Sequence, residues 1–135
     1  MKKSLLVAYL CSIFLLSALV SAQSLDIAEQ AIAMTVDQGL TTQSTMNIHN
    51  TGTTDIAALN ITHNLDLADN DGDQIHLSFS NPGSIPAGQS AAVTITAEAD
   101  DHIDLETYEG TITVMDAGSS AQDTVQLSIT AEPKI

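Results

Sequence analysis

From residue 31 onward the apolar side chains recur at every second position. They form seven short runs: Ile32, Met34 and Val36; Met46 and Ile48; Leu59 and Ile61; Ile75, Leu77 and Phe79; Val93, Ile95 and Ala97; Tyr108, Ile112 and Val114; Val125, Leu127 and Ile129. The positions between them hold mostly Thr, Ser, Gln, Asn and Ala. A period of two belongs to strands with one buried and one solvated face, and no stretch keeps a helical period of 3.6 for long. The runs are divided by turn signals: Asp37-Gln38-Gly39, Asn50-Thr51-Gly52, Asn81-Pro82-Gly83 with Pro86-Ala87-Gly88, and Asp116-Ala117-Gly118-Ser119.

Seven strands in about a hundred residues predict an all-β chain folded as an immunoglobulin-like antiparallel β-sandwich, its strands labelled A to G in order. Gly52 and Gly88 are expected to supply positive φ where the chain reverses. Tyr108, two residues before Gly110, is placed to bury its ring and cap main-chain groups at a sandwich corner, or simply to fill the core. Residues 23 to 30, "QSLDIAEQ", carry Leu25 and Ile27 on the parity opposite to Ile32, Met34 and Val36. Two readings follow. Either strand A bulges and changes sheets, or the segment is an arm that pairs with the open edge of a neighbour. The expected division is therefore a signal peptide at 1–22, a strand or arm at 23–30, the sandwich at 31–132 and a tail at 133–135.

Three stretches, "NIHNTGTTDIAALNI", "SIPAGQSAAVTITAEA" and "ETYEGTITVMDAGSSAQDTVQLSI", resemble the immunoglobulin-like modules of secreted bacterial and archaeal proteins, the NPCBM-associated and CARDB-type domains. In that pattern an Asn-Thr-Gly turn joins strands B and C, a Pro-x-Gly-x-Ser turn leads into E, and Gly-Thr-Tyr-x-Gly opens F. The resemblance spans residues 30 to 131 and implies a fold more than a function, since members serve as spacers, adhesion modules and accessory domains. Where the pattern often has aromatic residues after strand C, this chain has an acidic segment.

The N-terminus has Lys2 and Lys3, an apolar run from Leu5 to Val20, and small residues up to Ala22. This reads as a secretory signal cut after Ala22, with an uncleaved membrane anchor or a pilin-type leader as alternatives. The expected location is secreted, extracellular or on the cell surface, with no membrane span after cleavage. Cys11, the single cysteine, lies inside the apolar run, so the mature chain has no disulfide and no thiolate metal site. All seventeen acids lie in the remainder, against one base, Lys134. Such a balance disfavours nucleic acid and anionic lipid as partners, and it equally suits a chain adapted to high salt.

"DLADNDGDQIH", residues 66 to 76, sets Asp69, Asp71 and Asp73 at alternate positions around Gly72, as many calcium loops begin. Against an EF-hand the match fails after the fifth position: Gln74 stands where Gly is needed and Ser80 where the closing acid belongs. In a seven-strand sandwich the A–B, C–D and E–F connections share one end, where Asp37, Asp66, Asp69, Asp71, Asp73, Asp100, Asp101, Asp104 and Glu106 would gather. The candidate ligands for a non-EF calcium ion are thus Asp69, Asp71, Asp73, Asp101 and Asp104, with a solvated acidic end as the alternative.

Other chemistry finds less support. His49, His63, His76 and His102 lack HxH or HxxxH spacing. There is no nucleophile elbow and no phosphate loop, so the chain is expected not to be an enzyme. Stacking on sugars needs exposed aromatics, and the mature chain offers only Tyr108 and Phe79. Asn60-Ile61-Thr62 is a glycosylation sequon whose Asn points outward by parity. The functional expectation is a non-catalytic structural or adhesion module that meets extracellular proteins, glycans or copies of itself by strand addition. The alternative is a calcium-dependent ligand- or glycan-binding accessory module.

Overall fold

The computed structural model describes residues 24 to 135; the expected signal segment and Cys11 lie outside the described residues. Eight strands follow in order: β1 (Leu25–Ile27), β2 (Ala31–Asp37), β3 (Thr41–Asn50), β4 (Leu59–His63), β5 (Ile75–Phe79), β6 (Ser90–Ala99), β7 (Thr107–Asp116) and β8 (Gln122–Glu132). They make two four-stranded sheets, β1-β3-β6-β5 and β2-β8-β7-β4. The seven expected strands are β2 to β8.

The eighth strand arises because strand A is split. Leu25 to Ile27 pair antiparallel with Ile48 to Asn50, and after three residues the chain crosses to the other sheet. There β2 runs parallel to β8, from Ala31 opposite Gln126 to Asp37 opposite Glu132. The sandwich is therefore not antiparallel throughout. The parity change seen in the sequence is the cause: moving to the facing sheet turns Leu25, Ile27, Ile32, Met34 and Val36 all inward, and each is buried. Two carboxylates hold the crossing. Asp123 Oδ2 accepts from Ile27 N at 2.8 Å, and Glu29 accepts from both Asn47 N and Asn47 Nδ2 at 2.8 Å.

The inward-facing residues of the seven runs form one core. Its ends are closed by residues that belong to no run. Ile56 and Ile85, joined by an isolated bridge, are fully buried at one pole, and Ile103 and Leu65 are buried at the other. Burying side chains of this size stabilises by about 1.5 to 3 kcal/mol each.

Of the two glycines expected at positive φ, Gly88 (φ 76) has it and Gly52 does not. The Asn50 side chain turns the chain at Gly52 instead, its Oδ1 accepting from Gly52 N at 3.0 Å. Such an Asx turn needs no left-handed residue.

Candidate functional site

The expected gathering of the A–B, C–D and E–F loops is present. Gly39 N donates to Asp100 O at 3.2 Å and Asp100 N to Gln74 O at 3.0 Å. Gln38 Nε2 reaches Ile103 O at 2.8 Å. The Asp101 carboxylate lies directly over Gly39, where any Cβ would collide with it, and the Lys134 ammonium approaches the same spot.

Within this pole Asp69 organises the loop. Its Oδ1 accepts from Asp71 N at 2.9 Å and Asp73 N at 3.0 Å, while its main-chain N donates to Asp73 O at 2.9 Å. Its Oδ2 accepts from Asp104 N at 3.1 Å, tying C–D to E–F. Both Asp69 oxygens are thus directed at main-chain N–H groups. The structure brings Asp69, Asp71, Asp73 and Asp104 into one hydrogen-bonded assembly, three of them through their main chains, and sets Asp101 apart over Gly39. Among the described residues no three His, Cys, Asp or Glu side chains converge in a metal-holding arrangement.

Asp100 ties the start of β5 to this pole. Its Oδ2 accepts from Gln74 N at 2.8 Å, and its Oδ1 lies 3.2 Å from His76 Nε2. Tyr108 makes the corner bond: its hydroxyl donates to Asp104 O at 3.2 Å, and its ring is buried. Burial, reinforced by the charges of Glu106, Asp69 and Asp104, pushes the Tyr108 hydroxyl up to about 12.

The opposite pole turns on a residue that sequence reasoning passed over. Asn50 is fully buried, and its Nδ2 donates to Thr54 O at 2.8 Å and Ile85 O at 2.9 Å. The Asn-Thr-Gly turn marked the place, but the partner at Ile85 is 35 residues away, and no local pattern signals it.

The two sides of the sandwich also differ. On the β1/β2 side the crossing strand closes the seam. On the other, β4 and β5 are edge strands, and Ile61, Leu67, Leu77 and Phe79 remain only partly buried. The rings of His63 and Phe79 meet across this seam with centroids 6.2 Å apart. Asn60, in the sequon, is exposed on β4. His49, His63, His76 and His102 sit in four different places. Of these, His49 bonds Ser90 Oγ at 2.9 Å.

No family model and no curated protein matches the chain. Solved structures do. The chain is similar to part of a family 123 glycoside hydrolase from Clostridium perfringens, at 11% identity and a TM-score of 0.61 over 84% of this chain and 28% of that one. A region of the secreted serine protease VesC from Vibrio cholerae matches at 14% identity and a TM-score of 0.52, over 80% of this chain and 23% of the protease. The CooA pilin subunit of enterotoxigenic Escherichia coli matches at 11% identity and a TM-score of 0.50, over 83% of this chain and 99% of the pilin. The chain thus spans about a quarter of the length of these two enzymes. At such identities the likeness is one of fold, and the chain is an immunoglobulin-like β-sandwich.

Proposed function

We propose that this chain is a secreted or cell-surface, non-catalytic structural or adhesion module, of the NPCBM-associated or CARDB kind its sequence resembles. It works by contacting extracellular proteins, glycans or copies of itself, in part through strand addition. One observation carries this reading. At both poles the organising polar side chains are committed to holding main chain, whereas on the outer edge of β4 the main-chain groups of Ile61 and His63 have no partner among the described residues. Reactive chemistry draws on the first kind of group, and β-sheet association draws on the second. The pilin match adds support, because there a sandwich of this size accounts for nearly a whole subunit.

Fractionation of cells producing the full-length chain tests the reading. Recovery from the medium, or removal by protease added to intact cells, is expected; a chain found only inside the cell overturns it. Thermal melts in calcium, magnesium and sodium chloride at matched ionic strength address the calcium-dependent alternative. Screening raises stability in all three salts. A calcium site at Asp69, Asp71, Asp73, Asp101 and Asp104 requires a further, saturating rise with calcium alone, abolished by changing Asp69, Asp71 and Asp73 to Asn.

A further inference from the structure

The sandwich has four edge strands, and they are not equivalent. β1 is three residues long and carries Asp26. β2 is longer, but its inward residues Ile32, Met34 and Val36 are already buried, so pairing there gains little apolar contact. The outer edge of β5 is obstructed at its start, where Ile75 N donates to Leu67 O at 2.9 Å and Ala68 bridges Gln74. β4 remains.

The direction of its main-chain groups follows from its neighbours. Asn64 N donates to Thr111 O and Ala58 O accepts from Ala117 N, so the even-numbered residues face β7. By the alternation of an antiparallel ladder, Leu59, Ile61 and His63 point their N–H and C=O groups outward. In agreement, Leu59 O accepts from a side chain outside the sheet, Asn81 Nδ2, at 3.0 Å. Ile61 and His63 are therefore the free edge.

Two further properties suit this edge to pairing, and it shares them with the obstructed β5. It lacks the Lys, Pro or inward charge by which edge strands usually block association. It also carries no acid, in a chain whose formal net charge is −14. Electrostatics leaves this edge open to a second copy. Two copies of this chain repel wherever their acids meet, and an antiparallel self-pairing about a two-fold axis sets residue i of one copy beside residue j of the other and j beside i, so one short edge meets itself. Only an acid-free edge flanked by unburied apolar side chains can meet itself without that penalty. Ile61, Leu77 and Phe79 supply the apolar flank.

We propose that β4 is a self-association edge, by which two copies join antiparallel through the main chain at Ile61 and His63. The inference rests on the assembly part of the function proposed above and names its partner, a second copy. Because both copies are acidic, dimer formation strengthens as sodium chloride screens them. A glycan on Asn60 would cover the same edge, so pairing and modification exclude one another.

The test is sedimentation velocity of the full-length chain, made in a host without N-glycosylation and kept in mild non-ionic detergent, with the apolar run at 5–20 common to every variant. Asn60 and Thr62 are exposed on the outer face of β4, so changing both to Asp, or both to Lys, leaves the core intact. The wild type is expected to dimerise with concentration, each double variant to be monomeric, and a one-to-one mixture of the two to regain the dimer. Ser78→Asp on β5 is expected to dimerise like the wild type. Dimers that persist in the Asp variant and vanish on Leu25→Ala/Ile27→Ala overturn the β4 assignment in favour of strand exchange through β1, while assembly itself stands. A monomer at every concentration and salt overturns both.

Discussion

At one pole of the sandwich Asn50 holds its loop by contacts two and four residues on, at Gly52 N and Thr54 O, and then reaches across to Ile85 O. At the other pole Asp69 does so with the same spacing, at Asp71 N and Asp73 N, and then reaches across to Asp104 N. The local geometry is shared, but the chemistry is reversed. Asn50 mainly collects carbonyls, which requires donors, and it is fully buried, which requires neutrality. Asp69 collects only N–H groups, which requires an acceptor, and it lies where water still reaches its charge. An amide suits the first site and a carboxylate the second.

Reciprocal substitution is the sharpest way to break this comparison. Asn50→Asp removes two donors and sets a charge among carbonyls with no water, and a loss of about 3 to 5 kcal/mol is expected in urea unfolding. Asp69→Asn exchanges part of an acceptor for a donor at a wet site and is expected to cost about 1 kcal/mol or less. Equal losses at the two poles would show that burial does not set the difference.

The second-largest effect concerns the acidic pole alone. Tyr108 is neutral in the fold, and its pKa rises from 10 to about 12. A raised folded value means that its contribution is complete below pH 10 and is lost as pH climbs from 10 to about 12. The loss amounts to roughly 2 to 3 kcal/mol. Alkaline unfolding should show this step, and Tyr108→Phe should remove it while costing about 1 kcal/mol at neutral pH.

Reading these two poles from sequence succeeds unevenly, for physical reasons. Alternation exposes the strand residues because every second side chain must face the core, and the parity break at Leu25 and Ile27 records the change of sheet. The acid-rich loops could be sorted to one end because sandwich topology fixes which connections share it. Ile56, Ile85, Leu65 and Ile103 escaped notice because a single apolar residue in a polar loop has no period. The roles of Asn50 and Asp69 escaped for a related reason: each depends on a partner in a distant loop, 35 residues away in both cases. Asp69 looked like a metal ligand because alternating acids suit an ion, yet alternating N–H groups in the same loop suit a carboxylate just as well.

The smallest expected effect lies at the crossing between β1 and β2. Burial by itself would raise the pKa of Glu29. The N–H groups of Asn47 outweigh it and hold the carboxyl below its usual 4.5. A depressed folded value means that the contribution is present above pH 4.5 and fades as pH falls through the lower folded value. Glu29→Gln should therefore flatten the acid limb of the stability curve between those values and leave the alkaline limb alone. An unchanged acid limb would place the grip on β1 with Asp123 instead.

The parallel run of β2 beside β8 has a mechanical meaning. Residue 31 begins one strand and residue 132 ends the other, at opposite ends of seven registered pairs. Tension entering through the first and leaving through the second drags the strands lengthwise past each other, so all the bonds between them bear load together. A ladder pulled from one end would open rung by rung; this one has to fail across its whole length at once.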